Sequence, residues 1–168
     1  MNYRDGVEMM FEWSDFITAF WAFFVLLPLV ALIHQLGHYL MARLFGGRSE
    51  IILGRGKLLF KLGTIKINRF YFLDSYCHYK SLKINNRWSN ILVHAGGILL
   101  NLLSIILVNL SIIIGWLPET QFFYQFGYFT IYYMFFSLFP IQYSEKHASD
   151  GKQIINILQN YPPSNTFD

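Results

Sequence analysis

Residues 31–44, Ala-Leu-Ile-His-Gln-Leu-Gly-His-Tyr-Leu-Met-Ala-Arg-Leu, close an apolar run that begins at Phe16. On a helix, residues i and i+4 share one face, so His34 and His38 can address a single atom. Two neutral imidazoles at that spacing make a zinc grip, and the usual form is H-E-x-x-H, with the glutamate as general base. Here Gln35 stands at the glutamate position. The metal-holding half of the pattern is intact and the proton-accepting half is missing.

The surrounding composition sets the solvent. The chain has 168 residues, enough for a single domain spanning 1–168, and is 54% hydrophobic and 14% charged, too apolar for an ordinary soluble domain. Its apolar residues fall into long uncharged stretches, Phe16 to Ile33, Ile91 to Leu117 and Thr120 to Ser144. Each approaches or exceeds the ~20 residues that cross a hydrocarbon core as a helix. The expected fold is therefore a mainly α-helical membrane protein with three transmembrane helices, at about 16–44, 88–117 and 121–144. An acidic start (Asp5, Glu8, Glu12 and Asp15 against Arg4) argues against a signal peptide. Pro28 should kink the first span or free a carbonyl. The lone Cys77 excludes an internal disulfide framework and a thiolate zinc cluster, and is expected to be a packing residue.

Between the first two expected spans the pattern changes. Residues 48–87 alternate apolar with basic or polar side chains, and glycines at 54, 56 and 63 punctuate them, which predicts short strands joined by tight turns at the membrane edge. Arg43 to Arg87 hold ten of the thirteen Lys and Arg residues. By the positive-inside rule this insert faces the cytoplasm and the acidic N-terminus lies outside. The basic residues read as topology signals that touch anionic lipid, and nucleic acid is not an expected partner.

A catalytic zinc usually takes three protein ligands. From Phe16, His34 lies ~27 Å along a helix at 1.5 Å per residue, toward the cytoplasmic side. Asp150 follows the end of the third expected span and can return at that depth, whereas Glu119 lies at the opposite face. His147 competes with Asp150, but its Lys146-flanked position suits a solvated histidine. His94 lies about two helical turns before Asn101 and is expected to support the site rather than ligate. His78 is read as a surface residue, Asn109 as an interhelical hydrogen bond, and the aromatic third span as lipid-facing packing.

Three groups of residues resemble the site-2 protease family of intramembrane zinc metalloproteases. His34-Gln35-Leu36-Gly37-His38 resembles the family's H-E-x-G-H, Gly97 to Asn101 its G-x-x-x-N, and Ser137-Leu138-Phe139-Pro140 with Ser149-Asp150-Gly151 its N-L-x-P and downstream L-D-G. The resemblance spans roughly residues 16 to 158 and suggests a minimal member without a PDZ or CBS appendage. It implies a three-helix catalytic core with membrane-embedded strands, zinc held by His34, His38 and Asp150, and Asn101 and Gly97 beside the substrate or supporting the site. The implied reaction is cleavage of a membrane-anchored protein or peptide precursor by zinc-activated water. The implied location is a cell membrane, bacterial by the minimal architecture, with the active site toward the cytoplasm.

Ser137 and Ile98 replace the family's usual Asn and Pro, departures that touch only substrate positioning. Gln35 departs more deeply. A carboxamide cannot accept a proton, and losing a general base typically costs ~10²–10⁴-fold in rate. The near-isosteric change reads as an engineered silencing of an active protease. The alternatives are a natural pseudoprotease that binds membrane helices uncut and a small transport or metal-handling protein that uses the histidine pair.

Overall fold

The computed structural model describes residues 12–143 and 147–159. Arg4, Asp5, Glu8, Ser144, Lys146 and the Pro162-Pro163 tail lie outside them.

Helix α1, Trp13–Leu44, is continuous but not uniform. It opens on a capping box in which the Asp15 carboxylate accepts from the Glu12 N–H at 2.8 Å. A π-helical turn, Ala22–Leu26, precedes Pro28. Proline has no N–H for the carbonyl four residues back, and that carbonyl, on Phe24, accepts instead from the Tyr71 hydroxyl at 3.2 Å. The helix stops where Gly46 takes φ +76° and Gly47 N–H bonds the Ala42 carbonyl at 2.8 Å.

Strands β1, Arg48–Leu62, and β2, Ile65–Lys80, form one antiparallel hairpin. The expected short strands are thus two long ones whose pairing is broken repeatedly. Gly54, at φ +81°, sits where the register shifts, and a Cβ there would overlap Tyr71. The hairpin curls so that Ile51–Leu53 pairs with Ser75–Cys77 on one side and Ile65–Ile67 on the other. Buried Ile51, Leu53 and Cys77 pack beneath Leu32, Leu36 and Tyr39 of α1. Burial pushes the Cys77 thiol up to about 12, so it stays a neutral packing group.

Helix α2, Arg87–Ile113, starts at a capping box in which Ser89 N–H donates to the Asn86 side chain at 2.8 Å. It lies against α1 at glycines: a Cβ on Gly37 would overlap the Gly96 carbonyl, and one on Gly97 would lie 2.6 Å from the His34 ring. Small residues permit this approach of two backbones. Asn109 donates to the Ile105 carbonyl of its own helix at 2.9 Å, not to a neighbouring helix. Helix α3, Gln121–Leu138, packs Phe126 onto Leu26 and Val30. The short helix α4, Asp150–Leu158, is capped by Ser149.

The three-span expectation is overturned. Among the described residues, two helices are long and apolar enough to cross a membrane, α1 and α2, with mean hydropathies of 2.6 and 2.4. Two glutamines and four tyrosines dilute the phenylalanines of α3. It also ends at Leu138 rather than continuing to residue 144, because Pro140 disfavours helical geometry in the residue before it, and Phe139 is extended at ψ 126°. The chain beyond returns through a bridge between Gln142 and Ala148.

Gly37→Ala should destabilise the protein by about 1–3 kcal/mol, the range for forcing extra volume into a close-packed contact, read as a lower thermal midpoint in detergent. Gly127→Ala, on α3 with open space around it, is the matched control that should not lower it.

Candidate metal centre

Two elements converge on one point. Helix α1 supplies His34 and His38 one turn apart, and the first residue of α4 supplies Asp150; all three are buried. His34 Nε2 lies 2.9 Å from Asp150 Oδ2 and 3.0 Å from His38 Nε2, and His38 Nε2 lies 3.4 Å from the same carboxylate oxygen. Metal–ligand bonds of ~2.0–2.1 Å in a tetrahedron separate ligand atoms by ~3.3 Å, close to these spacings. The three residues could hold a metal ion.

The surroundings prepare both rings for that role. His38 Nδ1–H donates to the Val93 carbonyl at 2.7 Å, which leaves the Nε2 lone pair facing the centre. The Asn101 amide lies 3.3 Å from His34 Nδ1 through its nitrogen, while its buried Oδ1 has no hydrogen-bond partner. Turning the amide over lets Oδ1 accept from His34 Nδ1–H and leaves His34 Nε2 as a second lone pair at the centre. Burial alone would raise the Asp150 carboxyl; when the same Nε2 atoms carry protons instead, the charge of His38 and hydrogen bonds from His34 and His38 hold it well below the usual carboxylate range.

The sequence-derived residues come together unevenly. Gly97 supplies space for the His34 ring and Asn101 its partner. His94 is buried with Nδ1 3.7 Å from Asp150 Oδ1, the carboxylate oxygen turned away from the histidine pair. His147 is exposed on the rim of the cleft and outside the three-residue cluster. Ser137 donates to Asp150 Oδ2 and lies 3.2 Å from His34 Nε2. That is no nucleophile triad, since serine and aspartate meet the same imidazole nitrogen rather than opposite ones.

Gln35 points sideways from the cluster. Its amide donates to the Ser75 carbonyl at 3.0 Å and to Ser75 Oγ at 3.3 Å. Ser75 Oγ in turn lies 3.3 Å from the Tyr133 hydroxyl, and the Tyr133 ring stands 4.9 Å from that of His34. A cleft of about 660 Å³ opens beside these groups, walled by Leu73–Cys77 of β2 and by Tyr132, Tyr133 and Phe136 of α3. Sequence reasoning missed Ser75 and Tyr133. The available signal was Tyr133 one helical turn before Ser137, which places one tyrosine of the aromatic helix toward the motif instead of lipid.

Over 150 residues, 89% of this chain and 94% of its counterpart, the sequence is 49% identical to the "Uncharacterized membrane protein YwmF" of Bacillus subtilis (strain 168). The chain belongs to the YwmF family. It is a membrane protein, in keeping with the two apolar helices. No family model matches the chain, and no solved structure matches it significantly.

Alanine at His38 or Asp150 should reduce bound divalent metal from about one equivalent per chain to background in elemental analysis of purified protein. His147→Ala should leave it unchanged.

Proposed function

We propose that the chain is a zinc-dependent intramembrane endopeptidase of the site-2 type in its site chemistry, held inactive in this sequence by Gln35. The observation that carries the reading is the meeting of His34 Nε2, His38 Nε2 and Asp150 Oδ2, with Gln35 beside them on the wall of a peptide-sized cleft. Zinc bound there would lower the pKa of its water and polarise a peptide carbonyl. His34, His38 and Asp150 would hold the ion, while Asn101 and Val93 fix the two rings and Ser137 steadies the carboxylate. The substrate is a membrane-anchored protein or peptide precursor, reaching the cleft from the bilayer along α1 and α3. The protein is seated in a bacterial cell membrane, with the centre toward the end of α1 that faces the cytoplasm, where Arg43–Arg87 gather the positive charge.

One observation favours a second reading, a natural pseudoprotease that binds membrane helices uncut. Gln35 donates to a backbone carbonyl at 3.0 Å, a bond that an ionised glutamate cannot make. The carboxamide is fitted to its neighbours, as a resident side chain would be.

Gln35→Glu separates the two. In zinc-loaded protein co-expressed with membrane-anchored peptides encoded nearby, the substitution should raise cleavage by at least ~10²-fold, visible as a shortened product by mass spectrometry. A Gln35→Glu protein that carries zinc yet leaves every peptide intact would favour the pseudoprotease. Absence of zinc from both forms would overturn the metalloprotease reading altogether.

A further inference from the structure

We infer that the Tyr133 hydroxyl is a hydrogen-bond donor to a peptide carbonyl in the cleft, and that Gln35 makes it so by setting the direction of a three-member relay through Ser75. The inference rests on the proposed peptide-binding role of the cleft but not on cleavage.

The first step of the relay follows from what each group can donate, and the second is the assignment under test. A carbonyl only accepts, so the nitrogen of the Gln35 amide must face the Ser75 carbonyl, and the same –NH₂ reaches Ser75 Oγ. Ser75 Oγ lies 3.3 Å from the Tyr133 oxygen, a contact in which either hydroxyl can donate, and we assign the donation to Ser75, whose oxygen already accepts from the Gln35 amide. The phenol then keeps its O–H for the cleft, which Tyr133 lines together with His34, Ser137 and Asp150. A glutamate at position 35 reverses every step. Its carboxylate accepts from Ser75 O–H, Ser75 Oγ accepts from Tyr133 O–H, and the phenol has no proton left for a ligand. The residue that removes the general base thereby creates a carbonyl-binding group. A phenol beside the metal site suits a polarised or anionic carbonyl oxygen, the group such donors stabilise.

The position of Tyr133 is fixed from several sides. The Ser75 bond holds the hydroxyl, the ring packs at 57° to the His34 imidazole, and the helix carries it beside the Leu26–Val30–Phe126 cluster. Ordering of this kind allows a donor to act without reorganisation.

The test uses the full-length protein in detergent, loaded with zinc, and a peptide hydroxamate carrying a ¹³C-labelled carbonyl. Tyr133→Phe should weaken binding of the hydroxamate about 10-fold, as the loss of one hydrogen bond of about 1.4 kcal/mol would. It should also shift the labelled carbonyl stretch to higher frequency in isotope-edited infrared spectra. Ser75→Ala, which leaves the ring in place, should do the same in lesser degree. In the Gln35→Glu background, Tyr133→Phe should change neither. Equal effects of Tyr133→Phe in both backgrounds, or an unshifted carbonyl band in the Gln35 protein, would overturn the inference while zinc content and hydroxamate binding uphold the metal site. A protein that binds neither zinc nor the hydroxamate would instead fail the parent proposal.

Discussion

The contact between α1 and α2 at Gly37, Gly96 and Gly97 is the constraint on which the rest depends. Side chains there would meet backbone or the His34 ring, so the two helices approach more closely than larger residues permit. That closeness brings the Val93 carbonyl to His38 and Asn101 to His34. Move α2 outward by the width of a methyl group and both histidines lose the partners that fix their tautomers. Gly151 does the corresponding work for the third ligand, because a Cβ there would overlap the Leu138 carbonyl and push α4 away from the end of α3.

The charges and the apolar surface divide the molecule differently. The strongly cationic part of the chain is the curled hairpin, where Lys66 pairs with Glu50 at 2.6 Å and Arg55 with Asp74 at 2.7 Å. The first is half-buried and the second exposed, and ion pairs this open to water are worth little in stability. Ile51, Leu53 and Cys77, packed beneath α1, hold the hairpin in place. The His34–His38–Asp150 cluster is arranged in the opposite way, with its titratable groups buried and each hydrogen-bonded to a neighbour.

Much of the centre was legible in the sequence because its parts are local patterns. An i, i+4 histidine pair and an Asp-Gly after a serine cap depend on helix geometry alone. The third expected span was not legible. A run of uncharged residues resembles a span by length, and only the weighting of tyrosine and glutamine against phenylalanine, with the break at Pro140, separates α3 from α1 and α2. The hairpin was legible as strand but not as a pair of long curled strands, since its curvature comes from glycine positions acting across the ladder. Ser75 and Tyr133 were hidden for a related reason. They meet Gln35 through pairings between elements far apart in the chain, and neither carries a motif of its own.

His34 and Asp150 are separated by 116 residues of sequence, and Asp150 opens the last helix described. During synthesis, α1, the hairpin and α2 leave the ribosome before the residue that completes the cluster. A nascent chain therefore carries a two-histidine half-site until Asp150 emerges, and the cluster is complete only when α4 docks against Leu138. Completion of the cluster is in this sense a check on folding, passed only by chains whose α4 has turned back onto α1.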